Sequence, residues 1–510
     1  MFNKKRNKLL FSGTILMTAL ALTGCGSASN NNNELVVAQR TDAVSLDPHA
    51  TNDSNSALVM AQIYDRLIYQ DENMELHPGL AESWTQIDDL TYEFNLKKNV
   101  YFHNGEELTA TDVEFTLLRA LDSAYVAHIV GQINGDAIEI MDDYTIRIST
   151  YEPFAPFLAH LAHTASSILN EKAVIEAGED YGQLNQAIGT GPYVLEDWSI
   201  GDRVLLSRND SYHGDVAKIE NLVIKAINED SSRSVELETK EVDIALDISP
   251  ADVNRIEESS DLTLLREADL RTSYLGFNLQ KEPFDDVRVR QAINYAIDTD
   301  LIVQTVLEGV GAPTVGPIGS NVWGANPNLE AYPVDLEKAQ ALLSEAGFED
   351  GFSTTIWTDS DGTRVSIATI IRNTLESLGI DASIQQLEWS AYLEQTAEGN
   401  HDMFLLGWSS VTGDADYGLY SLFHSNEFGA AGNRTFYKNE RIDELLDLGR
   451  ATIDEGTRRA YYNEVQEIIV EDAPWVPINV GETTIGTQNN VKGFVINPNS
   501  QYNFSNVYFE

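Results

Sequence analysis

Short blocks of apolar and polar positions, which change period along the chain, make up most of this sequence. Thr91 to Leu96 alternates apolar and polar residues, and Leu35 to Ala38 is a short apolar run, both typical of β-strands. Ala57 to Ile68 instead repeats its apolar residues at the spacing of a helix that buries one side. Because strand-like and helix-like blocks succeed one another throughout, the pattern predicts an α/β protein.

The same patterns predict further elements and a division of the chain. Helices are expected from Thr109, over Ser231 to Thr239 and over Arg288 to Ile297, and strands over Val194 to Trp198, Leu222 to Ile227, Thr272 to Leu279 and Met403 to Leu406. A change of pattern near Arg271 begins a second αβ region, which ends near Val480. The sequence therefore predicts two structural regions that the chain joins by two crossings.

The N-terminal segment has the pattern of an export signal. A basic head that contains Lys4, Lys5 and Lys8 precedes an apolar run from Leu9 to Leu22. Segments of this kind are removed from the mature protein and are set aside before the fold is considered. We expect residues 1–24 to be a lipoprotein signal peptide.

Cys25 ends this segment and is the only cysteine of 510 residues. It follows Gly24, which is small enough for a peptidase to cut beside it, and an exported chain with one cysteine has no disulfide partner. We expect Cys25 to carry lipid, including palmitate, and residues 25–33 to form a flexible tether. Acyl chains contribute about 0.8 kcal/mol per buried methylene, so they can hold the protein at the extracellular face of the cytoplasmic membrane.

Charge limits the classes of partner. The formal net charge is −47, from 33 Lys and Arg against 80 Asp and Glu. Nucleic-acid phosphates need a basic surface, so no nucleic-acid partner is expected. The acidic residues are dispersed and do not follow the spacing of calcium loops, which favours a solvated acidic surface.

The sequence contains no G-x-S-x-G and no H-E-x-x-H motif. Cys25 is assigned to the lipid and is not available as a nucleophile. We therefore predict that the protein is not an enzyme, and we predict no cofactor and no bound metal.

Several segments resemble the extracellular solute-binding proteins of the peptide/nickel family, which are binding subunits of ABC importers. These segments are Leu76 to Trp84, Phe94 to Gly105, Leu108 to Val113, Gly189 to Tyr193 and Asp286 to Asp298. The resemblance runs from Ser45 to about Phe494, which is nearly the whole mature chain.

The resemblance implies a two-lobed clamshell of the periplasmic-binding-protein type, type II-like, with an additional inserted domain. The base of lobe 1 would comprise residues 34–55, 184–270 and 481–510, and the inserted domain residues 56–183. Lobe 2 would comprise residues 271–480. A monomer is expected.

The resemblance also places the ligand at the segment His401 to Ser425. In peptide-binding relatives the strand end after Gly-Trp, here Gly407, Trp408 and Ser409, pairs with the main chain of the peptide as an added strand. An acidic residue shortly afterwards meets the α-ammonium of the peptide, and Asp414 fits best by position, with Asp416 close behind. The alternative is that these two carboxylates only cap the following turn.

Further contacts are expected at the other end of the peptide and from lobe 1. Arg364 lies near the position where dipeptide-binding relatives place an arginine for the peptide carboxylate, and its fork can engage both oxygens. Arg372, further along the same helix-like segment, and a solvated role for Arg364 are the alternatives. The loop Asn52, Asp53 and Ser54 resembles the one that holds the opposite side of the peptide.

Together with the export segment, the resemblance implies a lipid-anchored binding protein that captures short peptides by lobe closure and delivers them to ABC permease subunits. Three alternatives stay open. The loop from Gly407 to Tyr417 resembles that of relatives assigned to glutathione. His160 and His163, at spacing i, i+3, and His424 could belong to a protein for nickel or another metal. A peptide-sensing surface receptor would have the same sequence features.

Overall fold

The computed structural model describes residues 33–183, 186–429 and 432–510. The predicted signal peptide, Cys25 and all of the tether except Asn33 lie outside the described residues. Within the described part, no helix combines the length and the apolar character that a bilayer span needs.

The described elements confirm the α/β class. The strands, in chain order, are β1 (Glu34–Gln39), β2 (Ile68–Gln70), β3 (Leu76–Pro78), β4 (Ala81–Gln86), β5 (Thr91–Leu96), β6 (Glu139–Asp142), β7 (Thr145–Ser149), β8 (Tyr193–Ser199), β9 (Arg203–Arg208), β10 (Asn221–Ala226), β11 (Ile244–Ala245), β12 (Leu262–Phe277), β13 (Ala312–Pro313), β14 (Ser353–Thr358), β15 (Asp381–Gln386), β16 (Met403–Ser409), β17 (Trp475–Gln488), β18 (Val491–Lys492) and β19 (Tyr508–Phe509). The α-helices are α1 (Ser54–Ile63), α2 (Ala110–Leu121), α3 (Ala127–Val130), α4 (Phe157–Leu161), α5 (Glu171–Ala177), α6 (Asp230–Glu238), α7 (Pro250–Glu257), α8 (Val287–Ala296), α9 (Thr299–Thr305), α10 (Leu336–Glu345), α11 (Gly362–Ser377), α12 (Trp389–Ala397), α13 (Ala415–Phe423), α14 (Glu440–Ala451) and α15 (Glu455–Asp472).

One mixed sheet runs through both lobes, in the order β15-β14-β16-β12-β17-β11-β1-β10-β9-β8, with β13 paired to β17. In lobe 1, β1 is parallel to β10 and to β11. In lobe 2, β14 is parallel to β15 and β16, whereas β12 is antiparallel to β16 and β17. The two long strands β12 and β17 therefore carry the chain from one lobe to the other.

A register shift in the β12–β17 ladder marks the junction of the lobes. It falls between Ala268 and Thr272, and Thr272 pairs with Val480. Extra residues in one strand of an antiparallel pair bend that strand and strengthen its local twist. The two crossings predicted near Arg271 and Val480 thus lie side by side at this bend, where a change of direction between the lobes is accommodated.

The inserted domain has its own sheet, in the order β4-β5-β7-β6, and its own apolar core. This core runs from Leu67 to Ile168, with α2 packed against the sheet. The inserted domain was expected to begin at residue 56. The structure differs, because Leu58, Val59 and Ile63 of α1 are buried in the core of the lobe 1 base. The shared sheet joins lobe 1, which carries the inserted domain, to lobe 2, and the two lobes form the clamshell.

Local sequence explains where several helices begin. Thr109 and Asp112 form a reciprocal capping box at the start of α2, as their spacing predicts. The helix expected over Ala57 to Ile68 begins earlier, at Ser54, because the Asp53 side chain accepts hydrogen bonds from the N–H groups of Asn55 and Ser56. It ends at Ile63, where the next residue is extended.

Candidate ligand-binding cleft

The two lobes touch across the cleft in this structure. The side-chain amide of Gln70 donates to the carbonyl of Thr412 at 2.8 Å, and the N–H of Ala155 donates to the carbonyl of Arg450 at 2.8 Å. The side chain of Met74 lies over Gly413, where a Cβ would come within 2.7 Å of it. The inserted domain therefore contacts lobe 2 directly, and the lobes are closed onto each other.

The strand edge at Gly407 and Ser409 is open for main-chain pairing. On one side β16 pairs with β12 up to Ser409, but on the other side β14 pairs only with Met403 and Phe404. Pairing direction alternates along an antiparallel strand. The N–H of Ser410 donates to the carbonyl of Leu270 on β12. The main-chain N–H and C=O groups of residues 406 and 408 therefore also point to β12, and those of residues 405, 407 and 409 point to the opposite edge of the strand.

Leu405 confirms this alternation, since its carbonyl accepts the Tyr392 hydroxyl at 2.6 Å on the β14 side. The main-chain groups of Gly407 and Ser409 that follow it have no hydrogen-bond partner in the described part of the chain. Half-buried main-chain groups need partners, so this edge can accept an added strand. Trp408 contributes differently, because its main chain pairs with Thr272 and its indole packs 5.5 Å from the ring of Tyr417.

Beside this edge, a cavity of about 190 Å³ lies between the lobes. Three arginines from three elements line it: Arg40 directly after β1, Arg271 on β12 and Arg364 on α11. The guanidinium of Arg271 lies against the main chain of Gly407, where a Cβ would be 2.5 Å from its Nε. Glycine at this position therefore permits the close approach of an arginine to the open edge.

The structure places Arg364 in the cavity, at the start of α11. Its Nε lies 3.4 Å from Asp359 and 3.9 Å from Asp361, and its guanidinium carbon lies 5.2 Å from the ring of Trp389. Its Nη1 is buried and has no hydrogen-bond partner among the described residues. Arg372, the alternative, donates to Asn373 and does not line the cavity.

Asp414 is neutralised within lobe 2. Both of its oxygens accept from Arg458, at 2.7 and 2.6 Å, and only 13% of its side chain is exposed. It also caps α13 by accepting the N–H of Asp416. The turn-capping alternative is therefore present in the structure, together with an ion pair that the sequence did not indicate.

Asp416 is also neutralised within lobe 2, and its side chain is fully buried. Its two oxygens each accept from Arg450 at 3.0 Å. Burial alone would raise the pKa of the Asp416 carboxyl, but the charge and hydrogen bonds of Arg450 bring it below its usual value. An α-ammonium role for Asp414 or Asp416 stays a prediction that this geometry does not support, because both charges already have a partner.

The loop predicted from lobe 1 does face lobe 2. Asn52, Asp53 and Ser54 line a small cavity of about 40 Å³ together with Val411. The Asp53 carboxylate accepts hydrogen bonds from the Thr51 hydroxyl and from the N–H groups of Asn55 and Ser56 at the start of α1. An apolar residue of lobe 2 thus meets this polar loop.

The histidines considered for a metal do not converge on three ligands. Nδ1 of His160 lies 2.7 Å from the carbonyl of Ile129, and Nδ1 of His163 accepts the N–H of Ala165. In the described residues, the one group of three or more potential ligand atoms within 4.8 Å of one another is Asp71, Glu75 and His77. Asp71 and Glu75 lie in the β2–β3 turn, and His77 lies on β3.

Sequence reasoning did not identify Arg40 and Arg271 as site residues. Arg271 served only as a boundary between two regions, and no local pattern distinguishes Arg40. Their proximity to Arg364 arises from sheet pairing and lobe contact, which no short segment encodes.

The family model for "Bacterial extracellular solute-binding proteins, family 5 Middle" matches residues 75–430. The dipeptide-binding protein of Escherichia coli (strain K12) is 32% identical over 478 residues, covering 88% of this chain and 89% of that protein. The glutathione-binding protein GsiB of Escherichia coli O1:K1 / APEC is 30% identical over 502 residues, covering 96% of this chain and 97% of the relative.

Solved structures agree with these sequence matches. The ABC transporter-associated periplasmic binding protein DppA from Helicobacter pylori, in complex with the peptide STSA, superposes with a TM-score of 0.83 at 33% identity, covering 94% of this chain and 98% of that one. The match of the family model, the relatives at 30% identity or more and the clamshell fold lead to one conclusion. This chain belongs to the bacterial extracellular solute-binding proteins, family 5.

Proposed function

We propose that this protein is the membrane-anchored, extracellular binding subunit of an ABC importer, and that it captures short peptides between its lobes for delivery to the permease. The observation that carries the proposal is the open β16 edge at Gly407 and Ser409 beside the arginine-lined cavity. An edge that offers N–H and C=O groups binds a peptide main chain whatever its side chains are. One protein to which the chain is similar is named for dipeptide binding, and another was solved in complex with a peptide.

Binding would combine three kinds of contact. The peptide main chain would pair with Gly407 and Ser409, its terminal carboxylate would meet Arg364, and closure would enclose it between lobe 2 and the loop Asn52 to Ser54. Ligand can favour the closed form only through contacts that the open form lacks. Micromolar affinity corresponds to about −8 kcal/mol, which a short ladder and one charged pair can supply after ordering costs.

Recognition through the main chain predicts weak discrimination among side chains. In calorimetry, neutral peptides of equal length should differ by about 1–2 kcal/mol in binding free energy, because one buried methylene contributes about 0.8 kcal/mol. Small-angle scattering on the same samples should show a smaller radius of gyration with peptide than without. Native mass spectrometry of the purified soluble domain would identify copurified cargo. Absence of binding for every di- and tripeptide tested would contradict the proposal.

Glutathione is the second candidate cargo. The relative named for glutathione covers nearly the whole chain, and glutathione carries two carboxylates, which suits a cavity lined by three arginines. Reduced glutathione belongs in the calorimetric series for this reason. Binding much tighter than that of every unmodified peptide would make it the preferred cargo.

Anchoring through Cys25 is tested separately from binding. A Cys25→Ala chain should lose membrane association, because Cys25 is the only cysteine in the sequence and no other cysteine can carry the acyl chains. The chain should appear in the medium or remain as an uncleaved precursor, as fractionation and the mass of the N-terminus would show. A processed Cys25→Ala chain that stays with the membrane would contradict the assignment.

A further inference from the structure

The three arginines of the cavity are not equally balanced by acidic groups. Arg40 lies 3.8 Å from Asp361, and Arg364 lies 3.4 Å from Asp359. Arg271 forms no ion pair, and its side chain makes no hydrogen bond, with any residue that the structure describes. The guanidinium that approaches the open strand edge most closely is thus the one without a carboxylate partner.

Two further carboxyl groups lie near Arg271, Asp269 and Asp247. Asp269 accepts the main-chain N–H of Arg271 at 2.7 Å, and its carboxylate lies against Gly481. Burial raises the pKa of Asp269 to about 6, whereas Asp247 is exposed to solvent. Asp269 is therefore more readily protonated than an ordinary carboxylate, and neither Asp269 nor Asp247 forms an ion pair with the guanidinium.

The guanidinium groups also act on one another. Arg271 is an exposed residue, but the surrounding protein partly desolvates it, and this desolvation, then the positive charge of Arg364 and that of Arg40, lower its pKa. Like charges held close repel each other, and an anion placed among them would offset this repulsion. Arg364, which also lines the cavity, has one guanidinium nitrogen, Nη1, without a hydrogen-bond partner among the described residues.

We propose that Arg271, assisted by Arg40 from the opposite lobe, binds a second carboxylate of the ligand, beside the terminal carboxylate that Arg364 receives. The preferred cargo is then a short peptide with an acidic side chain or a γ-linked acidic residue. The cavity of about 190 Å³ is many times larger than the space that one water molecule needs, which is room for two carboxylates. This inference rests on the proposed function.

Lobe closure gains a specific role from this arrangement. Arg40 belongs to lobe 1, whereas Arg364 belongs to lobe 2 and Arg271 lies at the junction. A carboxylate that accepts from both Arg40 and Arg271 makes one of its contacts only when the lobes meet. An acidic ligand therefore stabilises the closed form more than its neutral isostere does.

Calorimetry with glutamate and glutamine peptides tests the inference. Dipeptides and tripeptides that differ only by Glu or Gln at one position have nearly the same size. The natural protein should bind at least one glutamate peptide about ten- to hundredfold more tightly than its glutamine counterpart, the range of one charge-assisted hydrogen bond. In Arg271→Gln this ratio should fall to about threefold or less.

Two variants complete the design. Gly407→Ala places a methyl group where the Arg271 guanidinium lies, so it should lower the same ratio even if Arg271→Gln does not fold. Arg372→Gln removes one positive charge from α11 outside the cavity and should leave the ratio unchanged. Circular dichroism confirms folding in each case.

Each outcome has a distinct meaning. Equal binding of glutamate and glutamine peptides by the natural protein, or a ratio that Arg271→Gln leaves unchanged, overturns the second-carboxylate site and leaves the peptide-binding proposal in place. Absence of binding for both series would overturn the proposed function and this inference together.

Discussion

Arg364→Gln should weaken peptide binding by about thirtyfold to several thousandfold. Truncating one partner of a buried charged pair costs about 2–5 kcal/mol, much of it because the other charge is left dehydrated and unpaired. The Arg364 side chain is 20% exposed, its Nη1 has no partner in the described residues, and it lines the cavity between the lobes. Isothermal titration calorimetry on both proteins measures the effect.

A C-terminally amidated peptide provides the internal control for this prediction. Amidation removes the carboxylate, so it should weaken binding to the natural protein strongly and binding to Arg364→Gln little further. Arg372→Gln, on the same helix but outside the cavity, should bind both peptides as the natural protein does. If amidation costs both proteins the same factor, Arg364 does not receive the terminal carboxylate.

Asp416→Asn should lower the free energy of unfolding by about 3–5 kcal/mol. The substitution leaves Arg450 without its counter-charge in a site where the Asp416 side chain has no solvent exposure, and breaking a buried pair on one side typically costs this much. Chemical denaturation followed by circular dichroism measures the change. The exposed pair of Arg441 and Glu444 is the matched control, since Glu444→Gln should change stability little.

This substitution also separates the two roles considered for the α13 start. If Asp416 serves the fold, the folded variant loses stability and keeps its affinity for peptides. A variant of unchanged stability that has lost affinity would return the α-ammonium role to this loop. The corresponding change at Asp414, which pairs with Arg458, should follow the same rule.

Lowering the pH should weaken the ion pair between Asp416 and Arg450. The folded-state pKa of Asp416 lies below its ordinary value near 3.9, so its contribution is complete above that value and is lost as the pH falls through the lower folded-state value. The stability difference between the natural protein and Asp416→Asn should therefore shrink as the pH is lowered below about 4. A difference that stays constant down to about pH 2 would contradict the ion-pair account.

Local sequence determined the parts of this protein that depend on neighbours in the chain. The period of apolar residues predicted β5 over Thr91 to Leu96 with its observed ends, and the pair Thr109 and Asp112 predicted the start of α2. The export pattern that ends at Cys25 and the family resemblance were likewise readable from contiguous residues. These features rest on interactions over a few positions, so short segments encode them.

Tertiary structure decided which charges are available to a ligand. Asp414 and Asp416 look like free acids in a polar loop, yet arginines 44 and 34 residues further along the chain neutralise them. In the same way, Arg271 became a candidate site residue only when β12 placed it against Gly407 and lobe contact brought Arg40 near. An ion pair depends on distances of a few ångströms between side chains that packing brings together, and a linear pattern records residue type but not that distance.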